Sequence, residues 1–176
     1  SQSSVLGLEI DHPTDHLIDK ALTIRSLYYS NKMDEYKEKC LEYDIDSIYE
    51  AAIIIKRYNQ EKYSSINIST ISVGNIVFCA APYEMFASNG LEIIKNSSFD
   101  CTFILGYSNG RYSYIPASYA IKNGGYEVYS CIYSAGTAEL LQNEFIAHIS
   151  ELYSKNVCKH EWNVLSSDEK YHLVEC

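Results

Sequence analysis

Glu84 is the first charged residue after a long uncharged stretch, "INISTISVGNIVFCAAPYE", and lies where a strand pattern gives way to a helical one. Strand tips that lead into helices are where α/β sheets present functional groups, so a carboxylate there is a candidate acid. The same position also suits ordinary compensation of a helix dipole, and both readings stand at this point. Tyr114 and Tyr126 lie among turn residues. A phenol beside a cation can ionise, ligate it, or donate to a developing oxyanion, because positive charge lowers its pKa from about 10. Sequence alone does not single these two out of the chain's 17 tyrosines, most of which must bury a ring and wet a hydroxyl.

The histidines do not suggest a self-contained metal centre. His12 and His16 have helical spacing, but Pro13 falls between them, and they read as surface residues. His148 lies among apolar positions of a helical pattern and reads as a hydrogen-bonded residue at the core's edge. Cys158, His160, His172 and Cys176 could form a small zinc module, although the first pair is spaced more tightly than zinc ligands usually are. No Gly-rich phosphate loop, Gly-x-Ser-x-Gly elbow or His-Glu-x-x-His pair occurs.

The elements that must position these groups follow from periodicity. Residues 5–10 suit a short strand. A helix capped by Thr14 carries Leu17, Ile18, Ala21, Leu22 and Ile24, and a second, capped by Asp46, carries Ile48, Ala51, Ala52, Ile55 and Tyr58. From Ile66 the period changes to two, breaks at Gly74-Asn75, and resumes as an apolar arm expected to be buried on both faces. A helix over about 83–95 and the run "CTFILGY", also expected to be buried on both faces, complete a βαβ unit. Asn109-Gly110, Gly124-Gly125 and Gly136 mark turns broken by short strands. A last helix, capped by Thr137, aligns Leu140, Leu141, Phe145, Ile149 and Leu152. The expected fold is mixed α/β, a mixed sheet flanked by helices. It is expected to form a single domain over 1–154, with an appendage over 155–176 that holds a capping box from Ser166 to Glu169.

Composition sets the class. The chain has 176 residues, 47% of them hydrophobic, enough for one domain with a substantial core. With 23 acidic against 14 basic residues its formal charge is −9, which repels nucleic acid. No apolar run nears the roughly 20 residues that span a bilayer, and the first residues lack the order of a signal peptide. A soluble protein is expected, cytoplasmic rather than secreted unless an upstream signal has been removed. The six cysteines are widely spaced and read as mostly reduced, buried small hydrophobes.

Three segments taken together carry a resemblance: "ISVGNIVFCAAPYEMF", "ILGYSNGRYSYIPASYAIKNGGYEVYS" and the closing helix. In order and spacing they resemble the C-terminal part of the catalytic domain of neutral/alkaline (non-lysosomal) ceramidases and their bacterial relatives, over about 66–153. The resemblance implies that Glu84 and Tyr114 are ligands of a catalytic zinc. It also implies that Tyr126, twelve positions later, assists at the transition-state oxygen and that Asn109 and Gly110 form the turn presenting Tyr114. That family takes two histidine ligands and a serine-type nucleophile from far upstream, and no matching motif occurs in the 83 residues before Glu84. Met85 also replaces a phenylalanine. The resemblance therefore implies a portion of a zinc-dependent amidohydrolase acting on a small amide or lipid. Its partner would be the upstream half of the same protein, and it would be inactive alone. The alternative is a non-catalytic interaction domain that keeps the fold without metal. Either way, exposed apolar surface is expected to promote self-association.

Overall fold

The computed structural model describes residues 1–156, 163–167 and 172–175. Its centre is a four-stranded mixed sheet in the order β1-β2-β3-β5. Strand β1 (Gln2–Glu9) pairs antiparallel with β2 (Tyr63–Val73), setting Leu6 opposite Ile66. β2 turns back antiparallel into β3 (Ile76–Ala80) through Gly74-Asn75, where Gly74 has φ 56°. That left-handed conformation is open to glycine without a Cβ penalty. The next strands are the two-residue β4 (Glu84–Met85), then, after helix α4 (Ala87–Lys95), β5 (Cys101–Leu105), which pairs parallel with β3. This is the βαβ unit expected from the alternation of patterns.

Period-two alternation turns Leu8, Ile66, Ile68, Val77 and Cys79 to one face, where all are buried. Helix α7 (Thr137–Asn156) lays Leu141, Phe145, Ile149 and Leu152 on that face, and α4 adds Ile93. Leu140 differs from expectation: it is 45% exposed, and Ala138 and His148 complete the buried stripe. β3 and β5 also differ: β3 is buried on one face only, β5 is at most half-buried, at Thr102 and Ile104, and Phe78 and Phe103 stack on the open face with ring centroids 5.3 Å apart. An apolar run cannot show whether a second layer exists to cover it.

A second apolar cluster joins helices α1 (Asp15–Tyr29), α2 (Met33–Tyr43) and α3 (Ile48–Tyr58) through Ile18, Ala21, Ile24, Ile45, Ala51 and Ile54. The Thr14 hydroxyl caps α1 by accepting from the Leu17 amide at 3.3 Å. α3 is capped by Ser47 rather than Asp46, its hydroxyl accepting from the Glu50 amide, while the Glu50 carboxylate accepts from the Asp46 amide. The cap therefore sits one residue later than expected, and the buried stripe contains Ile54 while Ala52 and Tyr58 face water. Helix α2 was not foreseen, because it has no buried residue and so no apolar stripe to read.

The glycine-rich region also differs. After β6 (Tyr114–Ile115) it forms two short helices, α5 (Ser118–Ile121) and α6 (Tyr126–Ser130), rather than strands. Beyond α7, β7 (Asn163–Ser167) and β8 (His172–Glu175) pair antiparallel. Ser166 thus lies in a strand, while its expected capping partner Glu169 lies outside the described residues. So do Cys158, His160 and Cys176 of the zinc module. Cys40, Cys79, Cys101 and Cys131 are free thiols, and of these Cys79 and Cys131 are buried.

His148 holds α7 against the sheet. Ser4 donates to Glu144 at 2.6 Å, so the His148 Nε2–H donates to Ser4 Oγ at 2.7 Å, leaving Nδ1 to accept from Thr70 Oγ1 at 3.0 Å. This arrangement uses neutral imidazole. Burial holds the ring's pKa below its ordinary value despite the opposing pull of Glu144 and Glu151. The stabilisation is therefore present above the unfolded histidine pKa near 6.5 and is lost as pH falls below it. Urea denaturation is expected to show weaker stability at pH 5.5 than at 7.5, and His148→Gln should flatten that slope. An unchanged slope in the variant would refute this origin.

Candidate functional site

Beyond β3 the chain runs through buried Ala81, Pro82 and Tyr83 into β4, and the fully buried Tyr83 ring fixes its direction. The loop after β5 is laced to this segment: Ser108 N donates to Ala81 O at 3.0 Å and Tyr112 N to Pro82 O at 2.8 Å. Asn109 takes a left-handed φ of 63° in this loop. At Gly110 a Cβ would stand 3.0 Å from Pro82 Cβ and 3.1 Å from the Tyr112 ring, so the close approach favours glycine. β4 and β6 then pair in parallel, with Glu84 the register partner of Tyr114. Asn89 of α4 donates to Ile115 O at 3.1 Å and accepts from Gln142 of α7, tying the pair to both helices.

Glu84 is therefore not in the first turn of a helix. It precedes the Phe86 N-cap of α4 and sits in a strand, so dipole compensation does not account for it. Its half-buried carboxylate accepts hydrogen bonds from the hydroxyls of Tyr107 and Tyr114. The bond to Glu84 is the first cause that pushes the Tyr114 phenol up to about 12, and Tyr107's own bond to Glu84 is the first cause that raises its phenol. The Tyr126 ring meets the Tyr114 ring edge-on at 5.8 Å and stacks on Tyr49 at 5.5 Å. Hydrogen bonding with Tyr49 is the leading cause of the raised Tyr126 pKa. Near pH 7 the Tyr107, Tyr114 and Tyr126 phenols are neutral, and the first two donate to the Glu84 carboxylate. Glu84, Tyr114 and Tyr126 thus lie at one corner of the molecule, Tyr126 at the start of α6 and 56% exposed.

Tyr107 and Tyr49 were not singled out from sequence. Tyr107 follows the end of β5, the parallel neighbour of β3, so the strand-tip argument applied to Glu84 would have found it. Tyr49 arrives from α3, and no sequence signal connects that helix with this corner.

Zinc calls for three or four nitrogen, sulfur or carboxylate ligands. No cluster of three or more His, Cys, Asp or Glu occurs among the described residues, and His148 is engaged by Ser4 and Thr70. Glu84 and Tyr114 offer two adjacent oxygen donors, so these residues by themselves do not complete a zinc site.

The class defined here is a mixed α/β fold with a carboxylate and phenols gathered beyond its strand ends. That fold is similar to part of the neutral ceramidase from Pseudomonas aeruginosa, with TM-score 0.50 and 20% identity over 56% of this chain. The chain spans 18% of that ceramidase's length. A second structure, a ceramidase complexed with C2, aligns with TM-score 0.47 and 17% identity over 64% of this chain and 18% of its own. No protein-family model and no curated protein sequence matches the chain.

Proposed function

We propose that this chain is the C-terminal part of a ceramidase-like, zinc-dependent amide hydrolase, cleaving a small or lipid N-acyl amide only together with the upstream half of the protein. The observation that carries this reading is the register pairing of Glu84 with Tyr114, with Tyr126 against the Tyr114 ring. Three residues spread over more than forty positions meet at one corner of a ceramidase-like fold. Glu84 and Tyr114 would hold part of the zinc shell, with histidines from the upstream half supplying the rest. The ion would polarise an amide carbonyl as a Lewis acid. Tyr126, a neutral phenol on an exposed residue, would turn its hydroxyl from Tyr49 to donate to the oxygen on which charge builds.

Alone, the chain is expected to release no product from a fluorogenic N-acyl amide with zinc present. Joined to the upstream half it should do so, and Tyr126→Phe should lower kcat by about 100-fold or more with zinc content unchanged. The lack of a three-ligand cluster among the described residues favours a second reading, a non-catalytic binding domain. Absence of both zinc and hydrolysis from the joined protein would support that reading and overturn the first.

A further inference from the structure

β5 is an edge strand of the sheet, and it lacks the features that usually protect one. Its sequence, Cys101-Thr102-Phe103-Ile104-Leu105, contains no charge and no proline, and no other described strand pairs with its free side. β1, the opposite edge, ends instead in Glu9, paired with Lys62. The direction of the free backbone groups follows from the bonds that are made. Cys101 N donates to Asn75 O and Leu105 O accepts from Ala81 N, so Cys101, Phe103 and Leu105 turn their main chain toward β3. Alternation leaves the amides and carbonyls of Thr102 and Ile104 facing outward.

We propose that a second copy of this chain occupies the edge, the two β5 strands pairing antiparallel about a two-fold axis at Phe103. In that register Thr102 lies opposite the partner's Ile104, and the outward groups of both exchange two hydrogen bonds on each side of the axis. Phe103 meets the partner's Phe103 in the closer, non-hydrogen-bonded type of pair. The stack of Phe78 on Phe103 then continues across the axis as a ladder of four rings. On the inner side, the partner's Ile104 enters a groove of about 590 Å³ bounded by β5, by Leu91 and Ile94 of α4 and by the β4 segment that carries Glu84. Asp100 falls opposite the partner's Gly106, so no acid faces an acid at the strand ends.

The area fits a weak, specific dimer. Phe103, Leu105, Leu91 and Ile94 are between 40% and 63% exposed. With the strand backbone they offer roughly 500 Å² per copy, about 1,000 Å² for the pair, where specific interfaces begin. The −9 charge on each copy opposes association, so salt should strengthen it.

The proposal does not rest on the amide-hydrolase reading, and it is tested without substrate or zinc. Sedimentation of the chain over a wide concentration range should show a reversible monomer–dimer equilibrium with Kd on the order of 10 μM, tighter at 0.5 M salt than at 0.05 M. Phe103→Lys, on the exposed face, should weaken it at least tenfold while leaving the circular dichroism unchanged. Thr102→Pro removes one outward amide and should do the same. Leu105→Cys places a thiol opposite the partner's Cys101, and oxidised glutathione should then link the dimer covalently; Asn67→Cys, in β2, should give no such product. A monomer at every concentration overturns the proposal. So does a dimer indifferent to the first two variants, or a monomer whose Thr102 and Ile104 amides resist hydrogen exchange because another polypeptide segment lies on β5.

Discussion

Replacing Glu84 with glutamine is expected to return the Tyr114 phenol from about 12 toward its ordinary value near 10. The carboxylate raises that pKa in two ways: it accepts the phenolic proton's hydrogen bond, and its charge opposes a second negative charge beside it. An amide at position 84 keeps the shape and removes the charge. Spectrophotometric titration of tyrosinate, with Tyr114→Phe to assign the step, would show the change, and a Tyr114 step unmoved by Glu84→Gln would refute the coupling. In the protein carrying the upstream half, the same substitution should reduce amide hydrolysis by at least about 10-fold, since disturbing even the outer partners of a metal ligand typically costs about 10–100-fold. Loss of hydrolysis without a shift in Tyr114 would separate a metal-holding role for Glu84 from its effect on the phenol.

Phe145→Ala is expected to remove about 3–5 kcal/mol of stability, a large share of the 5–15 kcal/mol that holds a typical domain together. Phe145 is fully buried where α7 crosses the sheet, and it belongs to the cluster that includes Ile66, Ile68 and Val77. Truncation leaves a cavity whose walls belong to different elements and cannot collapse together. Leu140→Ala, on the same helix but 45% exposed, should cost well under 1 kcal/mol. Urea denaturation of both variants tests the contrast, and similar losses would show that α7 packs through a different face.

The fold similarity and the site geometry carry different weight. At 20% identity over 56% of the chain, the ceramidase comparison speaks to architecture. The chemistry must be argued from the corner itself, where a carboxylate is surrounded by phenols that are neutral near pH 7. One carboxylate with neutral phenols is short of a metal-binding set. That shortage is why the proposed activity requires ligands from outside the described residues, and why the joined protein provides the decisive measurement.

Sequence determined the features that depend on neighbours along the chain. The Thr14 cap, the Gly74-Asn75 hairpin, the strand–helix–strand unit and the closing helix all follow from capping chemistry and from periods of two and 3.6, which act over a few residues. Whether β3 and β5 had one covered face or two was not legible, because an apolar strand reads the same with or without a layer above it. α2, lacking an apolar stripe, left no pattern to follow. At the site, the resemblance brought Glu84, Tyr114 and Tyr126 together, but only tertiary structure set Glu84 in a strand beside Tyr114. That placement depends on a loop laced to Ala81 and Pro82 by backbone hydrogen bonds, whose main-chain donors and acceptors are common to nearly all residues. Tyr107, two residues past the end of β5, was within reach of the strand-tip argument, whereas Tyr49 joined the corner because α3 packs there, and packing between elements far apart in sequence leaves no local periodic trace.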